Sequence, residues 1–132
     1  MGEDFKEYVR GIKFKYDQIK SIKCPAFGNE LILFNKYGFN HIIWKKNERR
    51  SVAQQKRRFS LIVYAMNIIK SSTAFNTYRI VERPINNNKS VSIAHFWSLV
   101  GQIDNRKIIV IIRKTNNGPK HFLSVMNKEV KK

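Results

Sequence analysis

The chain has 132 residues, of which 42% are hydrophobic, enough for one compact domain with a real core. Its 26 Lys and Arg stand against 9 Asp and Glu, a formal net charge of +17, far beyond what solubility requires, so the expected partner is a polyanion. No apolar run approaches the ~20 residues of a membrane span, Glu3, Asp4, Lys6 and Glu7 interrupt any signal-like start, and the single Cys24 excludes an internal disulfide and a cysteine-rich zinc site.

The expectation is therefore a single basic domain, residues 1–132, in the cytoplasm and without a membrane. In chain order, Phe5, Val9, Ile12, Tyr16 and Ile19 have helix-like spacing, giving an amphipathic helix or an arm. Ile22, Cys24 and Ala26 then alternate with polar or turn residues, Gly28-Asn29 supplies a turn and Leu31 to Phe34 is apolar, which reads as a hairpin. Tyr37 to Asn40 breaks it, and Asn40 is placed to cap a short helix carrying His41 and Trp44. Ser51 and Gln54 have capping-box spacing, and Phe59, Ile62, Val63, Met66 and Ile69 follow a 3.6-residue period, so the spacing predicts one helix from about Val52 to Lys70.

Beyond Lys70 the pattern turns to strands at Tyr78–Val81, Val91–Val100, Lys107–Lys114 and Lys120–Met126. Asp104-Asn105 and Asn116-Asn117-Gly118 are hairpin-type turns between the last three, which makes an antiparallel C-terminal meander. Asn86 to Asn88 is the one low-complexity spot, and Lys131 and Lys132 belong to a fraying end. The fold class that follows is α+β, a helical layer on one face of a four- to five-stranded antiparallel β-sheet. Ile108 to Ile112 is apolar at every position, so that strand should be central, with helices on one side and, in part, a ligand-filled cleft on the other.

The histidines are His41, His95 and His121, and imidazole is the side chain suited to moving protons near neutrality. His41 lies just before Lys45, Lys46, Arg49 and Arg50, whose charge favours its neutral, base-competent form. Arg57 and Arg58 follow close to the helix start, where free N–H groups already attract phosphate; the alternative is a solvated basic face. His95 and Trp97 share a side of their strand and could stack a base or simply pack. In "PKHFLSVM", period two puts Lys120, Phe122, Ser124 and Met126 on one face and His121, Leu123 and Val125 on the other. Either Lys120 and Ser124 face the cleft, with Phe122 as a stacking ring, or His121 does and becomes the natural general acid; Lys120 and His121 are equally compatible with a strand end at the surface. No histidines stand at metal-ligand spacing and no acidic cluster suits magnesium, so neither a metal nor another cofactor is expected.

"GFNHIIWK", the following "RR", the helix with "KRRFSLI" and a meander ending in "HFLSVM" together resemble the barnase, EndoU, colicin and RelE-like ribonuclease superfamily, especially its phage and mobile-element branch. The resemblance spans roughly residues 22–126. It implies a metal-independent ribonuclease, many relatives being toxins, with catalytic roles on His41, Lys120, His121 and Ser124 and RNA contacts from Arg50, Arg58 and Phe122. The function expected is an endoribonuclease that cleaves RNA, tRNA or another single-stranded or looped RNA, by 2′-hydroxyl attack. The alternative is a non-catalytic RNA- or DNA-binding module. A nuclease so charged would need restraint, so an acidic immunity protein or antitoxin is an expected partner.

Overall fold

The computed structural model describes residues 2–84 and 91–129; the Asn86–Asn88 run and Lys131 and Lys132 lie outside them. Helix α1 (Gly2–Ile19) lays Tyr8, Val9, Ile12 and Ile19 against the core and buries Tyr16, whose hydroxyl donates to the Asn35 carbonyl at 2.8 Å. Lys20, at φ 63°, turns the chain into the antiparallel hairpin of β1 (Ser21–Cys24) and β2 (Glu30–Leu33), closed through a 3-10 turn at Pro25–Phe27.

Helix α2 (Lys36–Ile43) begins earlier than the sequence suggests: Asn35 is its N-cap, its side chain accepting from the Tyr37 N–H at 3.2 Å, and Asn40 lies inside the helix. Gly38, which reads as a breaker, is helical here for want of space. A Cβ there would sit 2.5 Å from the Tyr16 hydroxyl and 2.6 Å from the Phe122 carbonyl oxygen, so only glycine lets this helix approach the last strand.

A two-stranded ribbon of β3 (Trp44–Lys45) and β4 (Glu48–Arg49) folds the chain back, with Lys46 at φ 56° in its turn and the Arg50 N–H donating to the Ile43 carbonyl at 2.7 Å. The capping box of Ser51 and Gln54 then opens α3 (Val52–Ser60). The single helix expected to reach Lys70 is broken at Leu61, and α4 (Ile62–Ser71) follows. Two local bonds account for the break: the Leu61 N–H turns back to the Arg58 carbonyl at 3.1 Å, and the Ser60 hydroxyl donates to the Arg57 carbonyl at 2.7 Å, both competing with the i→i−4 ladder.

Strands β5 (Thr77–Pro84), β6 (Val91–Ile103), β7 (Arg106–Thr115) and β8 (His121–Glu129) form the antiparallel meander. The sheet is six-stranded and mixed, in the order β1-β2-β8-β7-β6-β5, which corrects the four- to five-stranded antiparallel expectation. Both strands of the N-terminal hairpin join the meander because β2 lies parallel to the start of β8, Leu33 opposite His121, with the Leu33 N–H on the Lys120 carbonyl at 3.0 Å. Hairpin periodicity in a sequence carries no information about which edge the hairpin will dock on.

One face of the meander is closed. Leu99, Ile108, Val110, Ile112, Phe122 and Val125 are all at most 1% exposed and pack with Tyr16, Phe34, Phe39, Phe59, Ala65 and Ile69. Gly101 lets α4 settle, since a Cβ there would come within 2.7 Å of the Ile68 side chain. Among the described residues, no helix is long and apolar enough to cross a membrane.

Candidate active site

The register of β8 against β7 departs from strict alternation. Ile111 pairs with Ser124 and Ile112 with Phe122, leaving Leu123 as the extra residue of a β-bulge. Phe122 and Val125 therefore share the closed face with Ile112 and Val110, whereas His121, Ser124 and Met126 share the other face with Arg113, Ile111 and Ile109. Period two had separated His121 from Ser124; the bulge puts them together.

That second face carries rows of side chains across four strands: Thr77, Ser98, Ile111 and Ser124 in one, and Arg79, Phe96, Arg113 and His121 in the next. Beyond its contact with β2, the outer edge of β8 pairs with no strand among the described residues, and α2 lies along it instead. Arg58 of α3 reaches over this edge, its Nη1 donating to the Val125 carbonyl at 3.0 Å and to the Ser124 hydroxyl at 3.3 Å. The arginine thus satisfies a strand carbonyl and points its charge into the cleft.

His41, in the last turn of α2, lines the cleft with Ser98, Ile111, Ser124 and Met126. Its Nδ1 is buried and has no hydrogen-bond partner among the described residues. Burial first, then the charges of Arg50, Arg58 and Arg113, push its pKa below the ordinary histidine value. Arg50, 8% exposed, is fixed by its Nε donating to the His41 carbonyl at 3.0 Å and by its own carbonyl accepting from Gln55 Nε2 at 2.7 Å. A cation against the carbonyl end of α2 also suits the helix dipole.

His121 is 4% exposed, and its Nε2 accepts from Arg113 Nε at 3.0 Å, which leaves the proton on Nδ1. Desolvation, followed by the Arg113 charge, lowers its pKa from 6.5 to about 4. The Tyr37 ring lies against both groups, 5.4 Å from the imidazole and 5.1 Å from the guanidinium. Arg50, Arg57 and Arg58 line an adjoining pocket with Gln54 and Asn127, and Met126 borders both pockets. Among the described residues the ion pairs are Lys13–Asp17 and Lys120–Glu30, so no carboxylate offsets Arg50, Arg58 or Arg113. Desolvated cations without counter-ions are costly, and an anionic ligand is what relieves them. Among the described residues no group of His, Cys, Asp and Glu side chains gathers to hold a metal ion.

The buried histidines make stability acid-sensitive. A folded-state pKa below the unfolded one means that the unfolded chain binds more protons in between, so stability is full above the unfolded value and falls as pH drops through the window below it. For His121 that window runs from 6.5 down to about 4, and the full shift is worth about 3 kcal/mol; His41 acts in the same direction. Chemical denaturation between pH 7.5 and 4.5 is expected to show this loss, and His121→Gln to flatten it. An unchanged slope in the variant would remove His121 as its source.

Other expected site residues lie elsewhere. Lys120 points to the opposite side of β8, pairing with Glu30 at 2.7 Å and lying 4.9 Å over the Trp97 ring and 5.1 Å over Phe27. Phe122, expected as a base-stacking ring, is 0% exposed and stacks on Phe34 at 4.9 Å in the core. His95 and Trp97 form an aromatic group with Tyr78 on that same opposite side, the Tyr78 hydroxyl 2.6 Å from His95 Nδ1. Lys45, Lys46 and Arg49 are exposed on the β3–β4 ribbon, and Arg57 is exposed at the rim of the arginine pocket. Arg113, Tyr37, Arg79, Phe96, Thr77 and Ser98 were not foreseen. Parity along "KIIVIIRK" carries a signal for one of them: Arg113 must share a face with Ile109 and Ile111, opposite the buried Val110. Comparison of the chain with protein-family models, with curated proteins and with solved structures finds no match.

Proposed function

We propose that the chain is an endoribonuclease that cleaves single-stranded or looped RNA without a metal ion, by attack of the 2′-hydroxyl on the adjacent phosphate. The observation that carries this reading is the neutral, partly desolvated His41 among arginines that no carboxylate offsets. In this mechanism His41 takes the proton of the 2′-hydroxyl, and Arg50, Arg58 and Arg113 stabilise the charge that accumulates on the non-bridging oxygens of the pentavalent phosphorane. The P–O5′ bond breaks, the leaving oxygen takes its proton from solvent, and a 2′,3′-cyclic phosphate remains.

His121, neutral and engaged by Arg113, holds that guanidinium in place rather than donating a proton. Ser124 accepts from Arg58 and keeps its own hydrogen free for a phosphate oxygen. The reading extends to the barnase, EndoU, colicin and RelE-like superfamily as the family, to a toxin or mobile-element role, and to an acidic protein inhibitor seated over the arginines.

Incubating the protein with tRNA or total RNA in EDTA tests the proposal. Fragments ending in 2′,3′-cyclic phosphate are the expected product; intact RNA, or cleavage only on adding magnesium, counts against it. A non-catalytic RNA-binding module is the second reading, favoured by Ser124 and His121 already being engaged by arginines. It predicts salt-sensitive binding with no turnover at any RNA concentration.

A further inference from the structure

We infer that the pocket on the sheet beside His41 is a nucleobase subsite, read by the hydroxyl pair of Thr77 and Ser98. The inference rests on the ribonuclease reading for what happens next to the base, but not for the binding itself. The pocket holds about 250 Å³, below the ~300 to 1,000 Å³ typical of drug-sized ligand sites, which suits a single flat ring system.

The chemistry of the cleft is partitioned. Cations gather at its α2–α3 side, where Arg58 reaches Ser124 and Arg50 underpins His41. Away from them the walls are Phe96, Ile111, Leu123 and Met126, and the polar groups between these are hydroxyls together with one arginine, Arg79, whose guanidinium lies over the Phe96 ring. Phosphate belongs with the first set; a neutral heterocycle belongs with the second.

Thr77 and Ser98 face each other across β5 and β6 with their oxygens 2.6 Å apart, and Ser98 is 7% exposed. Only one hydroxyl hydrogen is used in that bond. The other stays free to donate, and lone pairs remain to accept, so the pair can meet a donor–acceptor edge such as every base presents. Phe96 supplies a ring beside it, and the Arg79 guanidinium lies 4.7 Å over that ring. An incoming base either stacks on this guanidinium or displaces it, and both contacts are used for bases by proteins that bind single strands.

The test measures cleavage and equilibrium binding of short single-stranded RNAs that differ in one base, for the intact protein and for Thr77→Val and Ser98→Ala. Thr77→Val keeps the side-chain shape at an exposed position, so it remains informative if Ser98→Ala fails to fold. The expected result is a preference of about 10-fold or more for one base over the worst, as for one well-made hydrogen bond, reduced to about 3-fold or less in Thr77→Val. Phe96→Leu is expected to raise KM, or Kd, for all sequences while kcat changes less. Base-selective binding lost in Thr77→Val without any cleavage would uphold the subsite and overturn the ribonuclease reading. Cleavage or binding with no base preference, or a preference that Thr77→Val leaves intact, would overturn the subsite.

Discussion

His41→Ala is expected to lower RNA cleavage by about 10²- to 10⁴-fold, the range for removing a general base, while RNA affinity and folding hold. The fold tolerates this change because the anchor of Arg50 does not use the ring. Arg50 binds the backbone carbonyl of His41, which alanine keeps, and the buried Nδ1 has no partner among the described residues to lose. Removing an unsatisfied polar atom relieves a desolvation cost and offsets part of the packing lost with the ring. Single-turnover cleavage, RNA binding and thermal unfolding of the same variant separate the possibilities. Activity near that of the intact protein would move the base to another group, and collapse of the fold would make His41 structural. Because the neighbouring charges and burial lower its pKa, His41 stays neutral to a more acidic pH than a free histidine. The acid limb of the rate profile should therefore fall below 6.5.

Phe122→Ala is expected to cost about 3 to 5 kcal/mol of stability, a large part of the ~5 to 15 kcal/mol that holds a domain together. The ring is 0% exposed, stacks on Phe34 at 4.9 Å and lies beneath Tyr16, 6.5 Å away between ring centres. Gly38 packs on it so closely that α2 itself leans on this side chain. Its loss should loosen α2 and with it the placement of His41. In thermal unfolding the effect should be on the order of 10 to 20 °C. Phe122→Leu, which keeps part of the volume, should fall between, and it serves if the alanine variant does not fold. A Phe122→Ala protein that melts normally but binds RNA poorly would instead mean that the ring meets a base.

Composition and periodicity were enough to set the chain's basic charge and the α+β class. The basic charge is a sum, and a sum needs no fold. The three-strand meander was legible because Asp104-Asn105 and Asn116-Asn117-Gly118 are turn formers between apolar runs, and Asp104 and Asn116 do take positive φ, at 56° and 51°. The capping box at Ser51 and Gln54 was legible for the same reason, since its partners are three residues apart.

Three further outcomes were decided only by tertiary structure, because each depends on a contact between distant residues. The helix start at Asn35 instead of Asn40 depends on Gly38 meeting Tyr16 and Phe122. The sixth strand depends on β2 finding the start of β8. The side chains of the cleft depend on the bulge at Leu123, which reverses the parity of Phe122 relative to Ser124 and so sends the ring to the core and puts His121 on the same sheet face as Ser124. Alternation in a sequence shows which residues share a face only while the register holds, and one extra residue in a strand is a small local change that only the partner strand can reveal.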